Sequence, residues 1–372
     1  MNLQQLHDIQ IDPYTYTTQY KNESGKKIVG YFCSYTPEEI IFAGDALPFR
    51  ISGSRSTINL ADMHLQAYCC SPVRGALEDV LSGRMNFLNG IVFPHTCDSI
   101  QRLSDIWRLN VPLHFHIDVV LPVKLNTNSA REYMTDVLNK FRKDLEMKLK
   151  VEISDDSLNQ AISVYNQIRE KIKTLYDMRK ENPSHLKGSD FQNIISAMMI
   201  IDRNILNNIL SEIISGLEEK KDVHVNNTRK RLIIAGGMCN YPDIYQIIED
   251  AGGMVVWDDL CTGSRYFDGH IRPSGDPIKA LAERYLTRIV CPAKHSGLST
   301  RADNLLNIVK TKNADGIVFL IQKFCDPHSF DYPDLKNCLH KEKIPSMLIE
   351  MEDETSAGER LKTRIEAFIE TL

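Results

Sequence analysis

The sequence predicts an α/β protein made of two doubly wound parallel-sheet domains with an intervening helical segment. Three observations carry that expectation. Short β-branched runs alternate with helical stretches at both ends of the chain, the order that builds parallel sheets covered by helices. The middle of the chain is helical in pattern throughout. The two ends also read as distant copies of each other: "IVGYFCSYTPEEIIFAGDA" matches "IIAGGMCNYPDIYQIIEDAGG", and "GIVFPHTCD" matches "GIVFLIQKFCD". The expected division is 1–130, 131–227 and 228–372.

Taken in order, "KIVGYFCSY" reads as the first strand. A helix follows from "TPEEIIFAG", with Thr36 placed to cap it and Pro37 in its first turn. Glu38 and Glu39 suit that N-terminus through the helix dipole. "LPFRISG" is the second strand. "LQAYCCSPVRGALEDVLSG" turns helical after Pro72 and closes at Gly83, before the strand "GIVFPHTCD", the helix "SIQRLSDIWRL" and the strand "LHFHIDVVLP". In the middle, "AREYMTDVLNKFRKDLEMKL" and "SDDSLNQAISVYNQIREKIKTLYDMRK" are amphipathic helices. A further helical stretch from Ser189 puts Leu206, Leu210, Ile213, Ile214 and Leu217 on one face. The charge-rich hinge "GLEEKKDVHVNNTRK" leads into the strands "RLIIAGGMC", "GGMVVWDDLC", "GIVFLIQKFC" and "PSMLIEM", and the last helix is "SAGERLKTRIEAFIETL".

A chain of 372 residues is long for one domain. Its 42% apolar and 25% charged residues are ordinary for a globular protein. A net charge of −5, a pI near 6.1 and the lack of a basic stripe give no reason to expect nucleic acid. No apolar run approaches the ~18 residues of a membrane span. The first residues lack the apolar core of a signal peptide. The expected location is therefore cytoplasmic, where disulfides are rare. Nine cysteines in that setting invite a metal or redox reading.

Cys33, Cys97, Cys239 and Cys325 each fall at the carboxyl end of an expected strand, where open α/β sheets place their ligands. If the two halves face each other, those ends line one cleft. Cys69, Cys70, Cys97, Cys261, Cys291 and Cys325 lie in loop-like stretches beside Pro, Gly or Asp, whereas Cys338 sits in a plain helical run and reads as structural. Any one of them alone reads as a small buried hydrophobe. Zinc commonly uses CxxC or HxxxH spacing, and neither is present, although His95 and His328 near the cysteines keep zinc open. An iron–sulfur cluster takes thiolates, but its clustered spacing is missing too. Spacing decides nothing. Arg265, Lys294, His295 and Arg301 are candidates for a phosphate or substrate contact, against a default reading as solvated surface. Asp258 and Asp259 read as a turn at a strand end.

In the segments "GYFCSYTPEEIIFAG", "YCCSPVRG", "PHTCDSIQRLSDIW", "DDLCTGSRYF", "KFCDPHSFDYPDL" and "ETSAGERLKTRIEAF" the chain resembles the 2-hydroxyacyl-CoA dehydratase and benzoyl-CoA reductase subunits. That family also includes double-cubane-cluster proteins. The resemblance covers nearly the whole length. It implies two α/β domains joined with helices, and an oxygen-sensitive [4Fe-4S] cluster held by Cys70, Cys97 and Cys325 with one iron left open. Either sulfur of the Cys69–Cys70 pair is a candidate ligand. It also implies a radical-type lyase or oxidoreductase: a single electron enters an acyl-CoA thioester and expels a hydroxyl, or enters a ring or small unsaturated molecule. The electron comes from a separate ATP-dependent iron–sulfur activator. The working unit is a homodimer or a heterodimer with a related subunit. Cys33, Cys239, Cys261 and Cys291 depart from the simplest pattern, and of these Cys33, Cys261 and Cys291 supply the three further thiolates that suit a double-cubane [8Fe-9S] cluster in a homodimeric reductase of small molecules. A third reading is a non-catalytic cluster-bearing partner subunit.

Overall fold

The computed structural model describes residues 3–53, 57–181, 185–220, 229–239, 243–272, 275–351 and 357–372. Two short helices open the chain, α1 (Leu3–Ile11) and α2 (Pro13–Ser24). Sequence periodicity did not announce them. Asp12 caps the second by accepting from the Thr15 N–H, and Pro13 occupies its first turn.

The first sheet holds β1 (Lys27–Tyr31), β2 (Ala46–Arg50), β3 (Gly90–Pro94) and β4 (Phe115–Val119). All neighbours are parallel, in the order β2-β1-β3-β4. Between them run α3 (Glu38–Ala43), α4 (Ser71–Leu81) and α5 (Asp98–Asn110). The helical middle consists of α6 (Asn128–Leu149), α7 (Asp155–Glu181), α8 (Gly188–Ala197) and α9 (Arg203–Glu218). The second sheet holds β5 (Lys230–Gly236), β6 (Gly253–Asp259), β7 (Gly316–Gln322) and β8 (Ser346–Met351) in the order β6-β5-β7-β8, again parallel. Its helices are α10 (Ile244–Asp250), α11 (Ser264–Phe267), α12 (Pro277–Thr287), α13 (Thr300–Lys312), α14 (Asp326–Lys341) and α15 (Ala357–Glu370). The two sheets share one strand order, so the α/β fold expected from the paired sequence segments is present twice.

Strand alternation explains how the sheets are packed. In β1 and β3, Ile28 and Ile91 enter one core while Val29 and Val92 enter another. In β5 and β7, Leu232, Ile234, Val318 and Leu320 join that first core, and Ile233, Ala235, Ile317 and Phe319 face a third. One continuous apolar layer, including residues of α8 and α9, therefore reaches from one face of the first sheet to one face of the second. On the far face of the first sheet, α6 packs together with Ile278, Leu281 and Tyr285 of α12, which the sequence places in the other half.

Local expectations are corrected in three places. Thr36 does not cap α3: its hydroxyl donates to the Phe32 carbonyl, and Pro37 stands at the N-cap. The stretch from Ser189 is not one helix but two, broken at 198–202, where Asp202 starts α9 by accepting from the Asn204 N–H. On α9, Leu206, Leu210 and Leu217 are buried, whereas Ile213 and Ile214 only pack against the edge of the core. Residues 221–228 of the charged hinge lie outside the described residues, as do 352–356 at the start of the last helical motif.

Candidate functional site

Both sheets have their topological switch point between the first and third strands of the half, β1/β3 and β5/β7. Ligands in open α/β sheets bind at the carboxyl ends of those strands. Cys33 follows β1, Cys97 follows β3, Cys261 follows β6 and Cys325 follows β7. The two ends approach each other: the Ser71 hydroxyl is 3.1 Å from Gln322 Oε1, and Arg50 donates to the Cys261 carbonyl at 2.9 Å.

Cys70, Cys97 and Cys325 are the N-cap residues of α4, α5 and α14. No capping hydrogen bond is made by any of the three. Even so, the N–H of the third helical residue (Val73, Ile100 and His328 respectively) favours the thiolate in each case. Three helix N-termini thus direct partial positive charge at three sulfurs. Burial outweighs that help. It pushes Cys70 up to about 12 with the Cys97 thiol adding repulsion, and Cys97 up to about 12 with Cys33, Cys325 and Cys291 adding theirs. Cys325 is likewise pushed up to about 12 by burial, then by Cys70, Cys261 and Cys291.

Cys33, Cys261 and Cys291 sit on loops instead. Cys33 adopts a left-handed backbone with φ of 60°. Arg265, almost wholly buried, lies 3.6 Å from the Cys261 sulfur and pairs with Asp259 at 3.2 Å. Burial raises Cys291 to about 11, with Arg265 opposing and Cys261 and Cys33 adding to the rise. Lys294, buried, donates to the Leu121 carbonyl at 3.3 Å. Burial lowers its pKa, while Cys33, Cys291 and Cys97 pull the other way. All six thiols predicted from the sequence therefore act on one another electrostatically. They form two trios, one served by helix N-termini and the other by buried cations.

Three cysteines fall outside this group, and one of them, Cys338 in α14, packs against the third core as the sequence led one to expect. Cys239 is not in the cleft; it is buried in the central core, and its backbone N–H donates to Thr262 Oγ1. Cys69 is half-buried, its thiol raised by burial, with Arg74, Asp98 and Asp326 as its charged neighbours. Of the pair, Cys70 faces the other sulfurs. Asp258 and Asp259 are more than a turn. Asp258 accepts from Tyr176, Tyr245 (2.9 Å) and the N–H groups of Leu260 and Ser264, and Asp259 holds both Arg265 and Arg301. Arg301 is further tied to Asp331 at 2.6 Å, and the His295 side chain is exposed. Burial, with Arg265 and Arg301 beside it, keeps His328 neutral by lowering its pKa.

The donor set suits an iron–sulfur group. Its candidate donors are all sulfurs, three of them at helix N-termini, and thiolates are what such a group takes. One zinc would draw its sulfurs to roughly 4 Å of each other, whereas a cluster spreads its thiolates, because each binds a different iron. A polar cavity of about 480 Å³ opens beside Val290 and Arg301, lined also by Arg131, Arg288 and Asn304, and none of the cysteines lines it.

Residues 33–372 match the family described as 2-hydroxyglutaryl-CoA dehydratase, D-component. The chain is 26% identical over 369 residues to the (R)-phenyllactyl-CoA dehydratase beta subunit of Clostridium sporogenes, covering 98% of this chain and 97% of that one. It is 27% identical to a benzoyl-CoA reductase subunit of Thauera aromatica, covering 96% and 94%. It is 25% identical to the (R)-2-hydroxyglutaryl-CoA dehydratase beta subunit of Acidaminococcus fermentans, covering 100% and 98%. Among the described residues no helix is long and apolar enough to cross a membrane.

Proposed function

Because the chain belongs to the 2-hydroxyglutaryl-CoA dehydratase D-component family, we propose that it is the iron–sulfur subunit of a low-potential reductive enzyme that transfers single electrons to an acyl-CoA thioester. What supports this reading is that Cys70, Cys97 and Cys325 are each the N-cap of a helix and bear on one another by charge, Cys97 on Cys70, Cys325 on Cys97 and Cys70 on Cys325. A [4Fe-4S] cluster bound by these thiolates supplies a one-electron donor of low potential. The protein contributes the rest. Helix N-termini stabilise the ionised sulfurs against a surround that resists their ionisation. The buried Arg265 and Lys294 offset negative charge, and the surrounding core restricts water at the sulfurs. Arg131, Arg288 and Arg301 line a polar cavity in the size range of a small-molecule site, each already held by a protein partner.

The relatives are named as subunits of larger enzymes. The reading accordingly includes a second, related chain as partner, whether a copy of this one or a different subunit, and an ATP-dependent iron–sulfur activator as electron source. Anaerobic purification tests it: a brown protein with about four irons per chain that reduces or dehydrates an acyl-CoA once the partner and activator are added. Colourless protein holding stoichiometric zinc sinks it.

A second reading is favoured by one specific observation. Cys33, Cys261 and Cys291 act electrostatically on the first trio, which supports a double-cubane [8Fe-9S] cluster in a homodimeric reductase of small molecules. Cys33→Ser combined with Cys291→Ser separates the two: halved iron supports the double cubane, and unchanged iron and spectrum support the single cluster.

A further inference from the structure

Tyr35 follows Cys33 by two residues and is completely buried in the core that also packs Cys33 and Cys291. Its ring is held firmly. The Arg288 guanidinium lies 4.4 Å from the ring centroid, the Lys294 ammonium 5.8 Å, and the Tyr285 ring 6.2 Å at a 44° tilt. Its hydroxyl, however, donates to no described residue; the Cys291 backbone N–H is the one group that favours its ionised form by hydrogen bonding. The other buried tyrosines around it do better. Tyr31 and Tyr165 donate to Glu38, Tyr285 to the Thr36 carbonyl and Glu39, and Tyr176 and Tyr245 to Asp258. A phenylalanine would fill the same space without leaving a donor unpaired. Buried donors without an acceptor are rare, and each calls for an explanation in terms of a bound group. Arg288 favours ionisation of this hydroxyl, while the charges of Cys291 and then Cys33, packed against the same core, oppose it.

We propose that Tyr35 is an outer hydrogen-bond donor to the thiolate–sulfide group on the Cys33–Cys291 side of the cleft, acting with Lys294 to set the reduction potential there. The inference rests on the double-cubane reading above, in which Cys33 and Cys291 hold iron. Tyr35 is a positioning residue: any effect on iron passes through the sulfur it would donate to. A donated hydrogen bond and a nearby fixed positive charge both stabilise the state carrying the extra electron, so each raises the potential. Lys294 is suited to the same task. It is buried, anchored on the Leu121 carbonyl, and directed at Cys33, Cys291 and Cys97 by charge.

The test compares wild type, Tyr35→Phe and Lys294→Met, purified anaerobically, by iron content, by EPR-monitored redox titration and by thermal unfolding of the iron-free forms. Tyr35→Phe is expected to keep wild-type iron while its midpoint potential falls by about a tenfold change in the reduced-to-oxidised ratio, 59 mV for one electron. Lys294→Met shifts the potential in the same direction. Iron-free Tyr35→Phe unfolds at or above the wild-type temperature, because the hydroxyl has no protein partner to lose. Normal iron with an unmoved potential in Tyr35→Phe overturns the inference alone, as does a clear loss of stability in its iron-free form. An unmoved potential joined to a raised KM would assign the hydroxyl to substrate and also overturns it. Wild-type protein whose iron is unchanged by Cys33→Ser with Cys291→Ser overturns this inference and leaves the single-cluster reading standing, and protein that binds no iron overturns both.

Discussion

Glu39 is fully buried in the first turn of α3, where the sequence offered only a favourable helix dipole. Arg169 of α7 donates to it, Arg284 of α12 lies 3.6 Å away, and the Tyr285 hydroxyl donates at 3.1 Å. One carboxylate therefore ties the first sheet's helix to the helical middle and to the second half. Burial by itself would raise its pKa, but the two guanidinium groups more than offset this and hold it below the usual carboxylate range. Glu39→Gln leaves two buried guanidinium groups short of a counter-charge, and is expected to cost about 3–5 kcal/mol in urea unfolding. The pH dependence follows from the sign of the shift. A depressed folded pKa contributes stability that is fully present above the unfolded value near ~4.3 and is lost as pH falls through the lower folded value. Acid titration of the wild type should therefore show a loss below ~4 that is reduced in Glu39→Gln. Neither arginine was recognisable as its partner, because residues 39, 169 and 284 are brought together solely by tertiary packing.

At the scale of elements, the three N-cap cysteines separate structure from chemistry. Serine is a strong N-cap, since its hydroxyl accepts from the N–H groups at the start of a helix. Cys70→Ser, Cys97→Ser and Cys325→Ser are expected to leave α4, α5 and α14 intact, with thermal stability of the iron-free protein equal to wild type or up to about 1 kcal/mol higher. Each should still lose bound iron, measured per chain after anaerobic reconstitution. A drop in iron-free stability would show that the thiols serve packing instead. Gly236 ends β5 with φ of 153°, and a Cβ there would collide with the Leu320 carbonyl oxygen of β7. Backbone cannot yield as a side chain does, so Gly236→Ala is expected to cost several kcal/mol, on the order of 3, and to displace the end of β5 from which Cys239 and the Arg265 contact depart. Cooperative unfolding at the wild-type denaturant midpoint would contradict this.

For the molecule as a whole, the division at 130 and 227 is a proposal about chain order, and the central core does not respect it. Ile278, Leu281 and Tyr285 of α12 are buried beneath the first sheet with α6, although they belong to the second half of the chain. A fragment 228–372 exposes that apolar face and cuts Glu39 away from Arg284. Expressed alone, it is expected to aggregate or to unfold without cooperativity, whereas the full chain gives one main transition. The same interlock matters for the site, because it fixes the first trio of thiols against the second.

The sequence by itself determined the alternation of strands and helices, the duplication of one strand order, and the cysteines that fall just beyond strand ends. These are local properties: β-branched runs, caps and prolines act within a few residues, and a motif repeated in both halves folds the same way twice. Tertiary structure alone decided that Cys239, as well placed at a strand end as the other candidates, turns into the core, while the thiols of Cys33, Cys261 and Cys291, already candidates in the sequence, bear by charge on Cys97 and Cys325. It also decided that Asp258, Asp259, Glu38 and Glu39 are buried anchors rather than surface turns and dipole charges. The physical reason is the same in each case. Burial and charge pairing depend on which distant segments share a core, and one chain position carries no signal of the partner that will neutralise it.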